Sequence, residues 1–186
     1  AHISVETVAA YQVAGRLDML VFLPIFSIAA SLTTLVGMFY GAKEYEALRF
    51  TIRYGIVSAL IITIFSSVMV YIFADQVVRF FTEDESIVII AVNFLQIFAF
   101  AYPFIAVGIT TGRVLQGLGK GLPVLVITIV RVLGVSAPLS LFFVFVMDKS
   151  VEWVWYSMII STVVAFAIGL TWLVSTVKKL PMKNTV

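Results

Sequence analysis

The sequence contains no cysteine, a single histidine and little charge. Its 186 residues are 62% hydrophobic and 12% charged, against roughly 45–50% and about 25% in soluble domains. Without cysteine, disulfide frameworks and thiolate metal sites are excluded, and His2 alone cannot build a metal cluster. A soluble enzyme would need surface charge that this chain lacks, and disordered, collagen and coiled-coil classes fail on the same composition. The composition therefore indicates an integral membrane protein, and we expect no metal, cofactor or nucleic-acid partner.

Five nearly charge-free runs are long enough to cross a membrane. A helix needs about 20 apolar residues to cross a hydrocarbon core about 30 Å thick, and the alternating segments of membrane strands are absent. We expect an all-α, polytopic transmembrane helical bundle that forms a single domain over residues 1–186. The expected spans are residues 7–41, 49–74, 86–117, 121–147 and 152–178.

The positive charges at the span ends are asymmetric. Arg79 and Lys149 fall on one side, whereas eight of the twelve basic residues fall on the other: Lys43, Arg49, Arg53, Arg113, Lys120, Lys178, Lys179 and Lys183. Cytoplasmic ends carry the excess of Lys and Arg, so we expect the C-terminus in the cytoplasm. Five spans would then leave Ala1 outside. Because no initiating Met or signal peptide precedes it, we expect at least one further helix upstream.

Several ordered motifs resemble one family of transporters. The first span contains Ala9–Asp18, then Phe22-Leu23-Pro24, Val36-Gly37 and Gly41-Ala42, and it is similar to the pattern "AAYGIGSRIE…FLP…VGQ…GA" of MATE (multidrug and toxic compound extrusion) transporters. That pattern marks the second span of a six-helix half. The later segments Phe80–Asp84, Tyr102–Lys120 and Arg131–Leu139 are similar, in order, to the family's external loop, fourth helix and fifth helix. Met38 and Lys43 depart from the pattern.

The resemblance covers essentially the whole chain and implies an architecture and a function. The chain would be helices eight to twelve, the C-terminal half of a twelve-helix repeated transporter in a prokaryotic plasma (inner) membrane. Its partners would be membrane lipid and the N-terminal half of the same transporter. The implied function is secondary active export of organic, often cationic, small molecules in antiport with H⁺ or Na⁺, without enzymatic activity.

Two other functions remain open beside the exporter. A lipid-linked oligosaccharide flippase of the same superfamily would line its cavity with many basic residues, and the spans offer only Arg16 and Arg131. A structural or receptor bundle would lack a water-filled cavity at Asp18. An enzyme would need clustered catalytic groups within the spans, which the sequence does not offer.

Two ionisable residues are the leading candidates for ion coupling or transport. An ionisable group inside a span is costly and by default marks an ion or substrate path. Asp18 could take up and release H⁺ or Na⁺, although helix rise puts it about 35 Å before Gly41, near the outer edge, where pairing with Arg16 is the alternative. Arg131 lies about 15 Å beyond Gly121, near the midplane, as a functional group or a structural clamp. The two depths argue against a pair of Asp18 with Arg131.

Polar residues and prolines complete the candidates. Near the outer end of the first span, three residues are expected to rim a vestibule or to form an interfacial collar: Tyr11, Gln12 and Arg16. Gln96, with Asn93, is expected to line the cavity or to hydrogen-bond between helices for about 0.6 kcal/mol. Small residues at helical spacing predict a packing face at Ser27, Ser31, Thr34, Gly37 and Gly41. Prolines inside spans are expected to kink them at Pro24, Pro103 and Pro138.

Overall fold

The computed structural model describes residues 5–147 and 152–181, and no strand occurs among them. The helices are α1 (Val5–Gly41), α2 (Tyr45–Arg79), α3 (Glu85–Ala99), α4 (Tyr102–Gly117), α5 (Gly121–Ile129), α6 (Ala137–Leu141) and α7 (Glu152–Lys178). Two π-helical segments flank α6: Val130–Ser136 joins α5 to α6, and Phe142–Val146 follows α6. Together these elements form one continuous span, Gly121–Val146. The predicted all-α class is confirmed. His2, Lys149 and Lys183 lie outside the described residues.

Within the described residues, four helical stretches are long and apolar enough to cross a membrane: Thr7–Gly41, Tyr45–Arg79, Gly121–Val146 and Trp153–Lys178. A fifth crossing is formed only if α3 and α4, which meet at 58°, count as one broken span. The span expected over 86–117, with a kink at Pro103, thus consists of two helices that meet just before Pro103. The second span runs over Tyr45–Arg79, beyond the expected 49–74 at both ends, and its last turn carries the ion pair of Arg79 with Asp75.

The bend between α3 and α4 has an identifiable cause. Pro103 has no backbone N–H, so the carbonyl of Ala99, four residues earlier, loses its helical donor. Ser67 of α2 supplies the missing bond, because its hydroxyl donates to the Ala99 carbonyl at 2.7 Å. In lipid, no water is present to donate a hydrogen bond to this carbonyl. The bond from Ser67 on the neighbouring helix therefore removes the cost of an unpaired carbonyl at the bend.

The other two prolines lie in different surroundings. Pro24 sits inside α1, which continues unbroken to Gly41. Pro138 sits in the first turn of α6, directly after the π-helical segment Val130–Ser136. There the N–H of Ala137 bonds the carbonyl of Val132, five residues back. A local π adjustment of this kind re-pairs backbone groups near a proline inside a membrane helix.

Helices α1 and α4 approach each other closely at two glycines. A Cβ atom on Gly117 of α4 would lie 2.7 Å from the carbonyl oxygen of Thr33 in α1, and one on Gly37 would lie 3.4 Å from the Gly117 carbonyl oxygen. Lipid tails are as apolar as leucine, so helices in a membrane associate through such close packing rather than through the hydrophobic effect. Glycine at position 117 is therefore required by space.

Contacts between basic residues and helix ends hold one end of the bundle together. Arg49, near the start of α2, donates to the carbonyl of Leu180 just beyond α7 at 2.9 Å. Lys120, in the turn before α5, donates to the Thr176 hydroxyl of α7 at 3.4 Å. The starts of α2 and α5 and the end of α7 thus lie at the same end of the molecule, and that end carries Arg49, Lys120 and Lys178.

The span Gly121–Val146 is the least packed part of the bundle. Pro123 is the only buried residue of this span. The most apolar stretch of the span contains no residue that is buried inside the bundle. The span touches α4 and α7 along one side. An open cleft consequently remains between α4, α5 and α7.

Candidate functional site

Asp18 has a specific partner inside the bundle. Its side chain is half-buried in α1, and its carboxylate accepts a hydrogen bond from the Tyr102 hydroxyl at the start of α4. Tyr102 is fully buried, and its ring meets that of Phe22 edge to face with centroids 5.2 Å apart. Such an aromatic pair contributes about 0.5–1.5 kcal/mol. The packing of Tyr102 therefore fixes the hydroxyl in front of the carboxylate.

This arrangement leaves chemical capacity on the carboxylate. An ionised carboxylate offers about four lone-pair sites, and one phenolic hydroxyl occupies only one of them. The remaining oxygen sites can accept a proton or contact a small cation. The alternative pairing of Asp18 with Arg16 is not what the structure contains, and ion pairs within the described residues occur at Arg79, with Asp75 and with Glu85.

Arg131 lines a cavity of about 420 Å³ that is formed by α1, α4, α5, α7 and the π-helical segment Val130–Ser136. Its apolar wall includes Phe26, Phe104 and Phe166, and the last two rings meet edge to face at 5.3 Å. Glycines widen it, since a Cβ on Gly108 would meet nothing within 4 Å. The polar part of the lining consists of Arg113, Gln116, Thr128, Arg131 and Thr162.

The charge of this cavity has one sign. Arg113 lies one turn from the end of α4 and donates to the Gln116 side-chain oxygen at 3.3 Å, whereas Arg131 lies about 15 Å along the next span from Gly121. Both arginines are exposed. Among the described residues that line the cavity there is no Asp or Glu. The cavity is therefore positively charged at two depths.

Asp18 does not line this cavity, but the two are connected by aromatic contacts. Phe22, which packs on Tyr102, lies 6.4 Å from Phe26 between ring centroids, and Phe26 is part of the cavity wall. Helix α4 also carries Tyr102 at its start and Arg113 near its end. The carboxylate and the cavity thus share α1 and α4 as their common framework.

The remaining candidates lie apart from both features. Tyr11 packs edge to face on Phe94 of α3 at 5.3 Å, and two neighbours on α1, Gln12 and Arg16, are exposed. Gln96 donates to the Tyr71 carbonyl at 3.4 Å. It lines, with Asn93 and Tyr156, a separate cleft of about 460 Å³ between α2, α3 and α7.

Sequence reasoning missed several of the residues that form these sites. The sequence analysis uses Tyr102 only as part of the motif before Pro103. A tyrosine hydroxyl inside a span needs a hydrogen-bond partner, and this requirement could have identified it as a site residue. Arg113 was counted only as a charge at the cytoplasmic side. The aromatic wall could not be distinguished by composition, because 16 phenylalanines are spread over the whole chain.

Fold and site together define a multi-pass helical membrane protein with a polar cavity inside the bundle. A sequence model of the MatE family matches residues 1–142. The chain belongs to the MatE family of membrane transporters, as the motifs of the first, third and fourth spans predicted.

Curated relatives and solved structures agree with this assignment. The probable multidrug resistance protein NorM of Thermotoga maritima is 27% identical over 154 residues, which are 83% of this chain and 33% of the relative. That of Bacillus cereus is 26% identical over 186 residues, 98% of this chain and 39% of the relative.

Two of the similar solved structures are a multidrug resistance MATE family transporter in an inward-facing conformation and a MATE crystal structure in the bent conformation. The first has a TM-score of 0.83 at 29% identity, and the match covers 93% of this chain and 40% of the chain of that transporter. The second has a TM-score of 0.86 at 28% identity and covers 95% of this chain and 39% of its own. These proteins are transporters, and this chain spans about two fifths or less of their length.

Proposed function

We propose that this chain is the C-terminal half of a secondary active exporter that moves organic molecules out of the cell in exchange for H⁺ or Na⁺. Its partners in this proposal are membrane lipid and the N-terminal half of the same transporter, in the cell membrane with the C-terminus in the cytoplasm. The observation that carries the proposal is the half-buried Asp18 carboxylate, which is held by Tyr102 across a helix interface.

The chemistry of coupling follows from that carboxylate. A group that alternates between water access and burial can bind a cation or proton in one state and release it in the other. Because Tyr102 belongs to α4, a change in the occupancy of Asp18 is transmitted to the helix that also forms the wall of the cavity. Two halves that rock about a central cavity would use this link to exchange ion for substrate.

The cavity favours transport over a purely structural bundle. Its volume of about 420 Å³ lies within the range of about 300–1,000 Å³ that small-molecule sites occupy. The expected position of such a cavity was at Asp18, and it lies instead beyond Phe22 and Phe26, on the side of Arg131. Two cavity arginines remain few for a lipid-linked oligosaccharide flippase.

The test is replacement of Asp18 by Asn in the complete transporter. Asn keeps the size of Asp and can still accept from Tyr102, but it cannot change charge. We expect ion-coupled efflux into inverted vesicles to be lost or strongly weakened at matched protein level, under imposed H⁺ and Na⁺ gradients. Asp84→Asn is the matched control, because Asp84 caps α3 from the exposed loop by accepting from the Ser86 N–H and Asn caps equally well. Wild-type rates from Asp18→Asn under both gradients would overturn the proposal.

A further inference from the structure

We infer that the cavity beside Arg131 takes an amphipathic organic anion, with a carboxylate, sulfonate or phosphate group at the arginines and an apolar body against the phenylalanine wall. This inference rests on the proposed transport function and names the substrate class of that function. The family resemblance leads to the expectation of an often cationic substrate, and the lining of this cavity argues for the opposite charge.

The charge of the lining is the first argument. Arg113 and Arg131 both line the cavity, and no Asp or Glu is part of the described lining. The two guanidinium groups therefore place positive charge at two depths of one partly apolar site. Such a site attracts an anion and repels an organic cation, and both effects grow as the local dielectric constant falls.

The hydrogen-bond geometry of the lining is the second argument. A guanidinium has five N–H donors and no acceptor, and Arg113 gives one bond of 3.3 Å to Gln116. The planar guanidinium fork matches the two oxygens of a carboxylate or the oxygens of a phosphate. Thr128 and Thr162 are also part of the lining, but their hydroxyls donate to the carbonyls of Val124 and Met158 one turn earlier. The donors that remain for an anion are therefore those of the two guanidinium groups.

The shape of the cavity is the third argument. Phe104 and Phe166 form an edge-to-face pair, and Phe26 of α1 is also part of the lining. Gly108 adds open space in place of a side chain. A site with a few convergent polar groups and an otherwise apolar lining is typical of small-molecule binding. The occupant therefore has an apolar body as well as a negative group.

The experiment compares two probes of the same body and opposite charge. The complete transporter in phosphatidylcholine nanodiscs is titrated with 2-naphthoate and with (2-naphthylmethyl)trimethylammonium by calorimetry, without any ion gradient. We expect the naphthoate to bind more tightly. Because a charge-assisted hydrogen bond is lost, Arg131→Gln should weaken naphthoate binding by about tenfold or more. Arg53→Gln, which removes an exposed charge of α2 outside the cavity, should leave the affinity unchanged.

A second variant tests the location without changing charge. Gly108→Leu places a side chain into open space on an α-helix and should abolish binding of the naphthoate while the thermal stability is retained. Replacing part of the phosphatidylcholine by phosphatidylglycerol distinguishes two sources of the same chemistry. Competition by phosphatidylglycerol identifies a lipid headgroup as the natural anion, and an unchanged affinity identifies a soluble one.

Equal or tighter binding of the ammonium probe would overturn the inference, as would equal effects of Arg131→Gln and Arg53→Gln. An acidic group supplied to the arginines by another part of the transporter would produce that result. The proposed function is tested separately, because a cation-selective cavity together with a strong effect of Asp18→Asn on efflux would keep the exporter and reject only the anionic substrate.

Discussion

The hydroxyl of Tyr102 donates a hydrogen bond to the carboxylate of Asp18 and thereby joins α4 to α1 across 84 positions of sequence. The bond links Asp18 of the first span to α4, the second helix of the broken third span. Tyr102 is fully buried, so its hydroxyl cannot exchange Asp18 for bulk water without movement of a helix. In the proposed function, a change in the ion occupancy of Asp18 would reach α4 through this bond.

Tyr102→Phe should destabilise the protein and also alter the ion coupling proposed for Asp18. The variant keeps the ring packed on Phe22 but removes the only donor that the structure gives to Asp18, so a half-buried acceptor is left unpaired. We expect a loss of about 1–3 kcal/mol in the free energy of unfolding, measured by denaturation in detergent. Tyr54→Phe, which removes the hydroxyl of an exposed tyrosine on α2, should have almost no effect. Equal stabilities of the two variants would contradict a structural role of the bond.

Ser67→Ala should weaken the joint between α3 and α4. It removes the hydroxyl that donates to the Ala99 carbonyl at 2.7 Å and leaves this carbonyl unpaired in an apolar environment. The expected cost is about 1–3 kcal/mol, and amide hydrogen exchange at residues 99–102 should become faster. Ser66→Ala, one position earlier on α2, is the control for loss of a serine hydroxyl. If both variants exchange at the wild-type rate, the bond does not hold the bend.

Gly117→Ala should disturb the contact between α1 and α4. Its methyl group would lie 2.7 Å from the Thr33 carbonyl oxygen and 2.9 Å from a Val36 methyl carbon, and a backbone oxygen cannot rotate away. We expect a loss of about 1–3 kcal/mol from this overpacking, measured as a lower melting temperature. Gly15→Ala on α1, where a methyl group meets nothing within 4 Å, should be neutral or slightly stabilising because alanine favours helix. Similar melting temperatures for both variants would show that the two helices can separate at little cost.

The orientation in the membrane can be measured directly, because the chain has no native cysteine. Basic residues gather at the end where Arg49 contacts Leu180, so this end is expected in the cytoplasm. A cysteine at Thr82, in the loop between α2 and α3, should react with an impermeant thiol reagent in intact cells. A cysteine at Ala42, in the turn between α1 and α2, should react only after the cells are opened. The reverse pattern would invert the topology.

Much of the fold was predictable because membrane helices are set by length and apolarity. The run that forms α1 ends at Gly41, where the apolar sequence gives way to the charged residues Lys43 and Glu44. A kink at Pro103 was predicted from the sequence, but its size, a 58° break that divides 86–117 into two helices, was not. The bend requires a second condition, the Ser67 hydroxyl 32 positions away, and no local pattern contains that contact.

The site was predictable only in part for a similar reason. The cost of placing an ionisable group in the membrane distinguishes Asp18 and Arg131 in the sequence, and their separation along the helices argues against a direct pair. Their actual surroundings depend on tertiary packing, which brings Tyr102 to one and Arg113 to the other. The small-residue stripe shows the same limit, since Gly37 lies at a close contact with α4 whereas Ser27, Ser31 and Thr34 are exposed.

The π-helical segments on either side of α6 have a consequence for any mutational scan of the span 121–146. A π turn pairs residues five apart and inserts one extra residue into the helical count. Each such insertion rotates all later positions by about 100° relative to an ideal wheel of 3.6 residues per turn. Arg131 lies just inside the first segment, Val130–Ser136. Residues after Ser136 that an ideal helical wheel places on the same face as Arg131 therefore lie on a different face. Periodicities measured along this span should therefore be fitted in separate stretches, with a change of phase at Val130 and again at Phe142.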